Sequence, residues 1–192
     1  HFIAKKSELQ ILRAWSLYLI GNSAFQTSNM DIASQSLKDF IDFDGVINYR
    51  IYFDALAGLI LLNSLNGDTK TAESLLITME LMTAKLKNSH FRLYTRSVKA
   101  RVNLHKGLGS KELEWAQMNW AKQTHEPYLW LMDVPDLTKI CIIVNHGSVL
   151  QVEEALDVLT EVEVFLDSVH NKYHALDIEL LKAMALLRIG RK

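Results

Sequence analysis

The sequence predicts an all-helical chain built of antiparallel helix pairs, a solenoid of the tetratricopeptide kind. Three observations carry that prediction. Gly21, Gly67, Gly107, Gly147 and Gly190 each close an apolar helical run, at separations of 46, 40, 40 and 43 residues. A residue suited to capping a helix follows each of the first four: Ser28 or Asn29, Asp68, Ser110 and Ser148. No stretch gives a strand signal beyond Ile140 to Val144, and the place of that run in the repeat argues for helix. Repetition at this length is the mark of stacked helix pairs. The expectation is a right-handed superhelix of about nine helices. It forms a single TPR-like domain over 1–192, with units ending near the five glycines.

The first pair is the least regular. Leu9, Leu12, Trp15 and Leu19 fall on one helical stripe, expected to be buried. Gly21 is expected to stop this helix, with a polar loop from Asn22 to Asn29 and a second helix from Ile32 to Asp42. A turn is predicted over Asp42-Phe43-Asp44-Gly45. The next helix spans Arg50 to Leu65. Gly58 lies inside it at a cost of about 1 kcal/mol against alanine, which points to a close helix–helix contact.

The following helix runs from Thr69 to Lys87, with Ala72, Leu75, Leu76, Met79, Met82 and Leu86 on its apolar side. A helix from Phe91 to His105 and another from Lys111 to Lys122 come next. Pro127 and Pro135 bracket a connection, Thr124 to Asp133, that holds Tyr128 and Trp130. Pro135 fits the first turn of a helix that includes Leu137 to Asn145.

Two helices complete the chain, Val149 to Val169 and Ala175 to Ile189. Ser148 and Gln151 stand at the spacing of a capping box. Val152, Leu156, Leu159, Val162, Leu166 and Val169 share one face, and Glu153, Glu154, Asp157 and Glu161 face water. The last helix is apolar nearly all round, so it needs neighbours on more than one side.

The chain of 192 residues is 49% hydrophobic, enough for a continuous core, and its net charge of −1 gives no bulk attraction to nucleic acid or to an anionic membrane. The lone Cys141 lies in an apolar run and reads as a buried small hydrophobe. With no disulfide possible within the chain, a cytoplasmic location is expected. No apolar run is long enough to span a bilayer. The chain opens on His1 and ends after a helix stop, so a piece of a longer protein is expected.

Catalytic motifs are missing. No Gly-Lys pair exists, so there is no P-loop, and no Gly-x-Ser-x-Gly elbow occurs. His170 and His174 stand at i, i+4 without further ligands nearby in sequence, which does not make a metal site. His90, His105, His125 and His146 are placed at helix ends, favoured near C-terminal carbonyls. The chain is therefore read as no enzyme, with no cofactor and no metal. Trp15, Trp115 and Trp120 are expected in the core. Trp130, beside the two prolines, is a candidate binding residue.

One polar stripe stands out. On the helix from Phe91 to His105, Phe91, Tyr94, Val98 and Val102 form one apolar face, and Leu93, Ala100 and Leu104 another. Arg92, Arg96, Lys99 and Asn103 lie between them at i, i+4, i+7 and i+11. In such arrays the first helix of a pair lines the groove. The stripe would there offer charged donors to an acidic ligand or peptide.

The last hundred residues carry a resemblance. Trp120-Ala121 precedes a proline-containing loop, and a helix ending in His146-Gly147 follows it. Glu153-Glu154-Ala155-Leu156-Asp157-Val158-Leu159 and Ile178-Glu179-Leu180-Leu181-Lys182-Ala183-Met184-Ala185-Leu186-Leu187-Arg188-Ile189-Gly190 complete it. In order and spacing these resemble the helical-repeat region of the MalT-like, ATP-dependent LuxR-type transcription regulators. The resemblance implies a sensing and interaction segment that binds a small-molecule inducer or a regulatory protein and biases self-association. The ATPase and DNA-binding modules of that family lie outside such a segment. No direct nucleic acid contact is therefore implied for this chain. A general peptide- or protein-binding scaffold is the alternative reading.

Overall fold

A computed structural model describes residues 2–43, 47–117, 131–168, 170, 172 and 174–190, with side chains from residue 8 onward. Among these residues there are nine α-helices and no strand: α1 (Phe2–Gln26), α2 (Met30–Ile41), α3 (Tyr49–Leu65), α4 (Thr69–Leu86), α5 (Ser89–His105), α6 (Leu113–Gln117), α7 (Pro135–His146), α8 (Val149–Ser168) and α9 (Ala175–Arg188). A 3-10 turn, Gly109–Glu112, leads into α6. The chain divides into two compact units. One holds the residues up to Val102 together with Leu131–Asp133, and the other holds Asn103 onward without those three.

Local chemistry explains most of the boundaries. The Asn48 side chain accepts from the Arg50 amide at 2.8 Å and starts α3. Asp68 accepts from the Thr71 amide at 3.1 Å and starts α4. Asn88, unremarked in the sequence reading, accepts from the amides of His90 and Phe91 and starts α5. Each side chain satisfies an amide that has no partner inside the helix. Pro135 occupies the first turn of α7, and Ile140 to Val144 are helical. Ser148 and Gln151 close a reciprocal box: the Ser148 amide donates to Gln151 Oε1 at 2.8 Å, and the Gln151 amide donates to Ser148 Oγ at 3.4 Å. Gly67, Gly107 and Gly190 take positive φ of 78°, 72° and 71°, the left-handed conformation that ends a helix.

Several expectations need correction here. Gly21 does not end the first helix: α1 runs on to Gln26, and Asn22 to Gln26 are helical rather than a loop. Gly21 is instead a contact glycine, since a Cβ there would meet Leu37 Cδ2 at 2.7 Å. The stripe of Leu9, Leu12, Trp15 and Leu19 is exposed. Ala14, Tyr18, Gly21 and Asn22 face the core in its place. Small residues there let α2 approach closely, and the bulky stripe turns outward. Ser110 does not cap: it sits inside the 3-10 turn that Leu108 begins. Asn29 holds the cap position of α2 without a side-chain bond, and Ser28 takes φ of 59°. Leu93 is exposed rather than packed. His90 lies in the first turn of α5, not at a C-terminal end. Cys141 is half-buried, with Asn145 Nδ2 3.6 Å from its sulfur.

The first unit is built around α3. Every residue from Tyr52 to Leu62 on it is buried, because α1, α2 and α4 pack on its several sides. Leu37 and Phe40 of α2, fully buried, fill the space between α1 and α3. Gly58 makes the close approach anticipated for it: a Cβ there would stand 2.1 Å from Met132 Sδ and 2.9 Å from Leu37 Cδ1. In the second unit α7 packs on α6, α8 and α9, and α8 packs on α9. Val152, Leu159, Val162 and Leu166 of α8 and Ile178, Leu181 and Ala185 of α9 form the buried faces there.

Candidate functional site

The α5 stripe is engaged at Lys99 and Asn103, and only Arg92 and Lys99 of its four members are exposed. Lys99 Nζ lies 2.8 Å from Glu80 Oε1 of α4, both half-exposed. Asn103 Nδ2 donates to Glu112 Oε1 at 2.6 Å within the second unit. Arg92 is exposed and Arg96 half-buried, one helical turn apart in the first unit. Tyr94, Val98 and Val102 are buried beside them, with Phe91 half-buried and stacked on Phe53 at 4.4 Å between centroids. This packing fixes which way the guanidinium-bearing side of α5 faces. Trp130 and Trp120 lie outside the described residues. Of the other tryptophans, Trp15 is 37% exposed, against expectation. Trp115 is half-buried, with the Lys139 ammonium 5.7 Å from its ring centroid.

A buried polar cluster in the first unit has no counterpart in the sequence reading. Asp54, on α3, is fully buried. Its Oδ2 accepts from the Tyr18 hydroxyl of α1 at 2.7 Å. Its Oδ1 accepts from the Tyr94 hydroxyl of α5 at 2.5 Å and from the Met132 amide at 2.8 Å. Asn22 Nδ2 in turn donates to the Tyr18 hydroxyl at 3.3 Å. Arg101 completes the arrangement, donating to the Met132 carbonyl and to buried Asp133 at 3.2 and 3.3 Å. One carboxylate thereby ties α1, α3, α5 and the short segment Leu131–Asp133 together.

Burial disfavours the charged form and pushes Asp54 up to about 6, against the three hydrogen bonds that pull it down. Burial, and then the nearby Asp54 charge, drive the Tyr94 hydroxyl well above its ordinary range, so it remains the donor. The signal for this cluster was present in the sequence. Asp54 is the lone charged residue from Ile51 to Leu65, within a run that is otherwise almost wholly apolar. A charge so placed is held by partners.

Outside this cluster Glu112, Lys139 and His174 are also buried. Hydrogen bonds from Lys182 and Glu179 hold Glu163 low, and its bond with Glu163 pushes Glu179 up. His174 is buried, with Nδ1 3.2 Å from Asp177, while His170 is exposed. No group of three or more metal-ligating side chains comes together among the described residues. No helix among them is long and apolar enough to cross a membrane.

Comparison with protein-family models, with characterised proteins and with solved structures finds no match for this chain.

Proposed function

We propose that this chain is a non-catalytic sensing and interaction module, a helix-pair solenoid that binds an acidic ligand or an acidic protein segment through α5. The observation that carries the reading is the pair of arginines, Arg92 and Arg96, one turn apart beside a packed apolar face. Guanidinium groups form forked, charge-assisted bonds with carboxylates and phosphates. Lys99, bound to Glu80 of α4, lies at the edge of the patch within the same unit. The resemblance of the C-terminal half to MalT-like regulators supports a role in transcription control. The ligand would there be an inducer or a regulatory protein.

Binding of a fluorescent hexaglutamate peptide tests the patch. Replacing Arg92 and Arg96 by alanine should weaken it about tenfold or more with the circular dichroism of the fold unchanged. Equal affinity in the folded double variant removes α5 from the reading. The transcription role is tested separately on the parent gene. A P-loop ATPase segment ahead and a LuxR-type helix-turn-helix behind support it. A gene lacking both leaves a general binding scaffold.

A further inference from the structure

The second unit presents a seam that no part of the described structure covers. On α9, Leu176, Leu180 and Leu187 are 81%, 58% and 77% exposed, and Ala183 is exposed with them. They stand at i, i+4, i+7 and i+11, the spacing that lines up on one side of a helix as a coiled-coil seam. The opposite side of α9, through Ile178, Leu181 and Ala185, is buried. The seam is therefore an addition to the packing of this unit, not a part of it.

The charges beside the seam select what can lie on it. Asp177 and Arg188 occupy the same flank, one at each end of α9, and Asp177 is 56% exposed at its side chain. Arg188 is anchored on the carbonyls of Val144 and Gly147, which fixes its charge at that end. A second α9 laid alongside in the same direction would put this flank of the two copies on opposite sides of the pair, so Asp177 and Arg188 would find no partner in each other. Laid in the opposite direction, it sets each Asp177 near the other copy's Arg188. The helix dipoles then also oppose. The seam reads Leu-Leu-Ala-Leu from one end, so the antiparallel copy matches Leu176 with Leu187 and Leu180 with Ala183. The small Ala183 leaves room for close approach at the centre.

The geometry points to a two-fold symmetric dimer of this chain, held by antiparallel pairing of α9 with α9. It is a surface distinct from the α5 patch and does not depend on it. A single pair of 14-residue helices makes a small interface, so the association is weak.

Sedimentation equilibrium of the whole chain tests this. The expected result is a monomer–dimer equilibrium that Leu180→Glu with Leu187→Glu abolishes. Both sites are exposed, so circular dichroism should not change. Direction is read by cross-linking in a Cys141→Ala background. Antiparallel pairing offsets the two copies of residue 183 by about 5 Å along the axis and the two copies of residue 176 by about 16 Å. A short bis-maleimide should therefore join Ala183→Cys chains and leave Leu176→Cys chains apart. A chain that stays monomeric at several hundred micromolar overturns the proposal. So does a dimer that survives the double glutamate variant, or equal cross-linking at the two sites.

Discussion

Replacing Asp54 by alanine should cost on the order of 4 kcal/mol of stability, whereas Asp54→Asn should cost little at neutral pH. The alanine variant strands two buried tyrosine hydroxyls and the Met132 amide. A buried donor without an acceptor costs about 1–3 kcal/mol. The asparagine keeps a carbonyl oxygen for Tyr94 and Met132, turns the Tyr18 hydroxyl from donor to acceptor, and loses the buried charge. Urea denaturation of the three proteins decides this. Equal stability of the alanine variant and the parent would show that the cluster does not hold the unit together.

The same residue sets a pH dependence whose sign is unusual for a carboxylate. The folded value of about 6 lies above the ordinary 3.8, so the folded chain holds this proton more tightly than the unfolded one. The stabilising contribution is then fully present below about pH 4 and is lost as pH rises to about 6. Two pH units at about 1.4 kcal/mol each come to ~3 kcal/mol. The quantity to measure is the stability of the parent minus that of Asp54→Asn, which cancels the other carboxylates. It should fall between pH 4 and pH 7. A difference that rises over that window would mean that the three donors outweigh burial.

The helices were legible because their causes are local. Ser148 with Gln151, Asp68, Pro135 and the left-handed glycines Gly67, Gly107 and Gly190 act within a few residues, and each did what its spacing implies. Gly21 misled because a glycine has two uses. It ends a helix by taking positive φ, or it clears space inside one, and sequence shows only that it is glycine. The space-clearing use depends on Leu37, a partner on another helix. The exposed stripe on α1 failed for a related reason. Periodicity shows that Leu9, Leu12, Trp15 and Leu19 share a face, but burial goes to the face that fits closest, and Ala14 with Gly21 won. On α5, spacing shows only that Arg92, Arg96, Lys99 and Asn103 share one side of the helix. That Glu80 and Glu112 would occupy Lys99 and Asn103 is tertiary information.

Leu37→Ala should destabilise the chain by about 2–5 kcal/mol, and it should reverse the effect of a second change at Gly21. Leu37 is fully buried and reaches two helices at once. One methyl lies 2.7 Å from where a Gly21 Cβ would be, and the other lies 2.9 Å from a Gly58 Cβ. The two glycines form the slot that this leucine fills. In the parent, Gly21→Ala gains about 1 kcal/mol of helix propensity and drives a methyl into Leu37, an overpacking that costs about 1–3 kcal/mol. The net expectation is a loss. With Leu37 truncated the collision is gone, the propensity gain remains, and the new methyl takes up part of the cavity. Gly21→Ala should then stabilise the Leu37→Ala protein by about 1 kcal/mol. The double-mutant cycle therefore carries a coupling of about 1–3 kcal/mol with a change of sign. Chemical denaturation of the four proteins measures it. Additive effects at the two positions would show that α1 and α2 do not meet through this slot.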